Sequence, residues 1–102
     1  MSGEAALFVA VGEVELHFPG ARSLKDKRQH LRSLVERLRH RLQVLVVESD
    51  HQDLHQRAGI AIAALATEAE AARGVVQRAL DVVNESGLGV VLHEDVEVLQ
   101  VR

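Results

Sequence analysis

The 102-residue chain has no cysteine, tryptophan or tyrosine, one proline, and only two aromatic residues, Phe8 and Phe18. Without thiols there are no disulfides, no cysteine-bound zinc and no thiol catalysis. Without a set of aromatic rings there is no surface that binds single-stranded RNA by stacking bases. The longest apolar run, Ala58 to Ala66, contains a glycine and is too short to cross a bilayer. The opening MSGEAAL carries an acid where a secretion signal needs a base, so the expected location is the cytoplasm, with no membrane partner. Nucleotide-binding loops are missing as well, because Gly87-Leu88-Gly89 lacks a third glycine and precedes a strand-like segment. Ser2, Ser23, Ser33, Ser49, Thr67 and Ser86 have no paired base in a recognisable motif. These absences favour a binding module over an enzyme, and no catalytic residue, metal or cofactor is assigned.

What remains is 47% hydrophobic and 26% charged, enough for one core in a single domain spanning residues 1–102. From Leu7 to Phe18 the residues alternate. Phe8, Ala10, Gly12, Val14, Leu16 and Phe18 share one face, while Leu7, Val9 and Val11 give way to Glu13, Glu15 and His17 on the other, which marks a long strand. Pro19-Gly20 ends it. Ser23-Leu24-Lys25-Asp26 has the form of a capping box, and Leu24, Leu31, Leu34, Val35, Leu38 and Leu42 make one helical stripe over about 23–41. Gln43 to Ser49 reads as a second strand and Ala58 to Ala66 as a third. Thr67 is the expected cap of a second helix that ends at Ser86-Gly87. Val90 to Val101 is a last strand with His93, Asp95 and Glu97 on one face. The order β-α-β-β-α-β predicts an α+β, ferredoxin-like fold: a four-stranded antiparallel sheet with two helices on one face.

The net charge of −3 conceals a segregation. Between Arg22 and Arg41 lie eight of the twelve cations and two acids, a segment charge of +6. The other 82 residues hold four cations and thirteen acids, −9. At about 100° per residue, Lys25, Arg28, Arg32 and Arg39 fall within roughly 60° on one flank of the first helix. With Arg22 and Lys27 nearby, this row fits a phosphate backbone, an acidic protein surface, or a solvated face with Arg32 and Glu36 paired at i,i+4. Glu13, Glu15 and the acids of the last strand would repel a polyanion from the sheet. The apolar Leu7, Val9 and Val11 suit a second copy of the chain, so a homo-oligomer through the open sheet face is expected.

Two short segments carry further polar density. Phe18 to Ser23 places backbone amides, Arg22 and a helix start together, an anion-holding arrangement that acylphosphatases of the same strand order use. Those enzymes also need an asparagine, and the only one here, Asn84, lies at the end of the second helix. The polar motif Asp50, His51, Gln52, Asp53, with Gln56 and Arg57 following, is read first as turn capping. Polar-partner binding and a His51/His55 metal pair remain as alternatives.

The segments HFPGARSLKDKRQHLRSLVERLR and VVESDHQDLHQRAGIAI resemble the YlxP-like family of small bacterial proteins of unknown function, over about Val9 to Val101. The matching positions are Arg22, Ser23, Leu24, Lys25, Lys27 and Arg28 in the first motif. In the second they are Asp50, His51, Gln52, Asp53, Gln56 and Arg57. Many relatives carry an aromatic residue where His55 stands. The resemblance implies a ferredoxin-like domain and, from the translation-initiation and ribosome-maturation genes that often lie beside the family's own, an RNA or ribosome role. The expectation is therefore a non-catalytic RNA- or ribosome-associated module acting through Arg22, Lys25, Lys27, Arg28, Arg32 and Arg39. The alternatives are an oligomeric small-ligand module resembling ACT domains and, third, an acylphosphatase-like hydrolase.

Overall fold

The computed structural model describes residues 5–102. The alternation read from the first segment becomes β1 (Phe8–His17), whose even-numbered residues Ala10, Val14 and Leu16 are buried, as is Phe18 just beyond it, and whose odd-numbered residues face away. After the Pro19-Gly20 turn, Ser23 caps α1 (Leu24–Arg41): its Oγ accepts from the Asp26 amide at 3.1 Å. The carboxylate of Asp26 reaches back one residue further than a standard capping box and accepts from the Arg22 amide at 3.0 Å. β2 (Leu45–Asp50) and β3 (Arg57–Ala66) follow, then α2 (Ala69–Glu85) and β4 (Val90–Gln100).

β1, β3 and β4 each differ from the expected bounds by one residue at one or both ends, and two further differences have a physical reason. The cap of α2 is Glu68, without a side-chain hydrogen bond, where Thr67 was expected. β2 begins two residues later than its β-branched run and extends to Asp50, because pairing with β3, with a bulge between Glu48 and Asp50, sets its length. α2 stops as expected, with Gly87 at a φ of 69°.

The sheet is antiparallel throughout, in the order β2-β3-β1-β4, and the element order and topology are those of a ferredoxin-like α+β fold. The core lies between one sheet face and the helices. α1 contributes Leu31, Leu34 and Leu38, and α2 contributes Ala72, Val76, Ala79, Leu80 and Val83. The small residues of α2 allow a close crossing over β1, where a Cβ on Gly12 would lie 2.6 Å from Val76 Cγ1. No helix among the described residues is long and apolar enough to cross a membrane.

The opposite sheet face carries no helix, and its chemistry is divided along the strands. One cross-strand row joins Leu65, Val9 and Leu99, and the next joins Leu45, Ala63, Val11 and Glu97. Further along lie Val47, Ala61, Glu13 and Asp95, then Gly59, Glu15 and His93. One end of the open face is thus apolar and the other acidic, as the change of character along β1 suggested.

Candidate nucleic-acid interface

α1 is amphipathic because its apolar residues recur at helical spacing, and its cations fall on the flanks of the stripe. Lys25, Arg28, Arg32 and Arg39 are all exposed. From Lys25 to Arg39 the row extends about 21 Å at the helical rise of 1.5 Å per residue. Its position is fixed at one end by Arg39, whose Nη2 donates to the Val46 carbonyl of β2 at 3.3 Å. The row therefore lies on the flank of α1 above the outer edge of the sheet. Among the described residues, Lys25, Arg28 and Arg32 make no ion pair, and the Arg32–Glu36 pair open to them by spacing does not form. Arg22 is exposed at the head of the helix.

Lys27 does not belong to this surface. Its side chain is fully buried, and its ammonium donates to Glu48 Oε2 at 3.0 Å and to the carbonyls of His51 (2.9 Å), Arg57 (3.2 Å) and Gln52 (3.3 Å). Three N–H groups face four acceptors, so at least one hydrogen bond is shared. This corrects the expectation that Lys27 contacts a polyanion. The helical wheel already held the signal: Lys27 stands four, seven and eleven residues before Leu31, Leu34 and Leu38, on the buried stripe itself.

The Asp50–Arg57 motif serves the same lock from the other side. His51 adopts a positive φ of 59°, and its amide donates to the Asp50 carboxylate at 2.8 Å. The Gln52 side chain donates to the Glu48 carbonyl at 3.4 Å. Gln56 accepts from the Phe18 amide at 2.8 Å, and its side-chain amide donates to the carbonyls of Pro19 and Ala21. The Pro19 turn, the head of α1 and the 51–56 loop are thereby tied into one unit, with the His30 ring stacked on Phe18 at 5.7 Å. Asp53 and His55 remain exposed at the loop tip.

On the open face, Arg57 donates to Glu15. His51 Nε2 lies 2.9 Å from the same carboxylate oxygen, so this nitrogen carries the proton that is donated. The Arg57 guanidinium, foremost, holds the Glu15 carboxyl below its ordinary value; desolvation pushes it upward, and His51 adds a lesser lowering. Glu15, Glu13, Asp50, His51 and His93 surround a hollow of about 170 Å³. Among the described residues, no three His, Asp or Glu side chains gather in a metal-binding geometry. The 51–56 segment is a turn, so the His51/His55 spacing never becomes the helical i,i+4 pair that chelation needs.

The hydrolase alternative meets a physical obstacle at the same turn. The Ala21 amide donates to the Phe18 carbonyl, the Arg22 amide donates to Asp26, and the Asp26 carboxylate itself occupies the head of the helix. Asn84 donates to the Leu80 carbonyl and to Glu94. Two amides of the turn are thus engaged, a carboxylate sits where an anion would bind, and the Asn84 amide is committed to other acceptors.

Sequence reasoning singled out one flank of α1 and passed over the other. Arg37 and Arg41, with Ser33, Glu36 and His40, line a second groove of about 530 Å³. Their four-residue spacing was the available signal. It also did not pair Lys27 with Glu48 or Arg57 with Glu15, because those partners come from distant strands.

Comparison with known proteins returns a family model described as a protein of unknown function (DUF503), matched over residues 9–96. No curated protein matches. Among solved structures, the de novo designed protein Foldit4 is similar at 13% identity and a TM-score of 0.49, covering 94% of this chain and 97% of that one.

Proposed function

The chain belongs to the DUF503 family of proteins of unknown function, and from that premise we propose that it is a non-catalytic module that docks on RNA, free or in the ribosome, through the exposed flank of α1. The observation that carries this reading is the row Lys25, Arg28, Arg32 and Arg39, of which the first three have no acidic partner among the described residues. Arginine offers paired donors that match phosphate oxygens, and a row at helical spacing meets successive phosphates of a strand. The acidic end of the sheet lies on the opposite side of the molecule and repels the same ligand, so it orients the approach. With few aromatics, the contact is to the backbone and reads shape more than sequence.

Four phosphate contacts give a slope of about −2.8 to −3.6 in log K against log salt, a loss of about 50- to 150-fold between 50 and 200 mM salt. The test is fluorescence anisotropy with a labelled RNA hairpin of mixed sequence across that salt range. Arg28→Glu with Arg32→Glu is expected to lower affinity by about 100-fold or more, since two contacts become repulsions. Tight binding that survives the double reversal, or a wild type that does not bind, overturns the proposal.

A further inference from the structure

We infer that the apolar end of the open sheet face is a self-association surface, closed by a second copy of this chain about a two-fold axis that runs across the strands near Val9 and Val11. Leu45, Val47, Leu65, Leu99 and Val101 stand there half to three-quarters exposed, with Val9 and Val11 between them. Together with their small neighbours they present roughly 500–600 Å² of apolar surface, the upper end of the 300–600 Å² of the largest patch on a typical monomer. Two such faces bury about 1,000–1,200 Å², which clears the roughly 1,000 Å² that a specific interface needs. A shallow hollow of about 560 Å³ beside Leu65, lined by Val9, Val44, Leu45 and Ala63, offers space for a large side chain from the facing copy.

Charge selects the orientation. Sheets stack about 10 Å apart. A two-fold axis parallel to the strands would lay β1 over β3 and β4 over β2 and bring the acidic ends of both copies to the same end of the interface. An axis across the strands carries Glu13, Glu15 and Asp95 of the two copies away in opposite directions and lays the row Leu45, Ala63, Val11 over the row Leu65, Val9, Leu99, with Glu97 at the β4 margin, where its carboxylate reaches water. Edge-to-edge pairing of β4 is disfavoured as well, since a register centred on Val96 would set Asp95 against Glu97 of the second copy, and its bulge opposite Glu15 and Leu16 interrupts the edge. The axis across the strands also stacks β2 over β2. Because the flank of α1 that carries Arg39 overhangs β2, both basic rows then lie on the same side of the dimer. That last consequence rests on the function proposed above, whereas the dimer does not.

The experiment is sedimentation equilibrium of the full chain, with no nucleic acid present. Twice the chain mass is expected at micromolar concentration, and a monomer throughout overturns the proposal. Leu65→Glu and, separately, Leu99→Glu should each raise the dimer Kd by about 100-fold or more, because the first buries a charge among the apolar rows and the second sets a carboxylate against Glu97 of the other copy. Their wild-type circular dichroism would show that the fold is kept, and a dimer that resists both substitutions overturns the surface assigned here. The chain has no cysteine, so Leu45→Cys with a short bis-maleimide tests the axis directly. The axis across the strands brings the two position-45 thiols together, whereas the parallel axis sets position 45 over β4. Efficient crosslinking supports the orientation, and a dimer that does not crosslink refutes it. Arg28→Glu with Arg32→Glu should leave the dimer unchanged, which separates failure of this inference from failure of RNA binding.

Discussion

Replacing Lys27 with methionine keeps the linear stem in its buried channel and removes the ammonium, with its hydrogen bonds to Glu48, His51, Gln52 and Arg57. Removing one member of a buried pair costs about 3–5 kcal/mol, because the other member stays desolvated. Here Glu48 is about one-quarter exposed and the 51–56 loop lies at the surface, so water reaches the orphaned groups and the cost falls near the lower figure. A loss of about 3 kcal/mol is a large part of the 5–15 kcal/mol that holds a domain folded, and it lowers the melting temperature by roughly 12–24 °C. Urea denaturation followed by far-UV circular dichroism measures it. Glu48→Gln keeps an acceptor and should cost about 1–2 kcal/mol. Lys27→Met combined with Glu48→Gln should cost less than the two separately by at least about 1 kcal/mol, since no carboxylate is left unpaired. A loss below about 1 kcal/mol for Lys27→Met, or strict additivity with Glu48→Gln, would refute the lock. Lys27→Met should also leave the salt dependence of RNA binding unchanged, where loss of a phosphate contact would flatten the slope by about 0.7–0.9.

Two further outcomes follow from single contacts. The Glu15 carboxyl is held below its ordinary value of 4.5 by Arg57 and then His51, so its ionised form stabilises the native state above about pH 4.5, and that contribution is lost as pH falls through the lowered folded value. Glu15→Gln should flatten the acid limb of a plot of melting temperature against pH, and an unchanged limb would show that the Arg57 contact adds nothing. Gly12→Ala drives a methyl into Val76 at 2.6 Å and should cost about 1–3 kcal/mol by urea denaturation. Val76→Ala in the same chain should recover part of that loss, and no recovery would place the strain elsewhere.

Much of the architecture was legible because period-two and period-3.6 patterns are local. The alternation of β1, the Ser23 cap, the stripe of α1 and the Gly87 stop all appear where the residues indicate. The Glu68 cap and the start of β2 were missed because the first is set by where the chain leaves β3 and the second by strand pairing. The candidate site was legible in part: the row Lys25, Arg28, Arg32 and Arg39 follows from helical angle alone. Lys27 shared the sign of that row but the angle of the core, and its charge outweighed its position in the reading.

The sequence by itself determined the order of the elements, their buried faces, the basic flank of α1 and the division of β1 into apolar and acidic halves. Each of these depends on spacing along the chain. Only the tertiary structure decided what the two polar motifs do, because Lys27 meets Glu48 and the 51–57 carbonyls across 21 to 30 residues, and Arg57 meets Glu15 across 42. A buried ammonium requires converging acceptors, and no local pattern says which distant carbonyls will arrive.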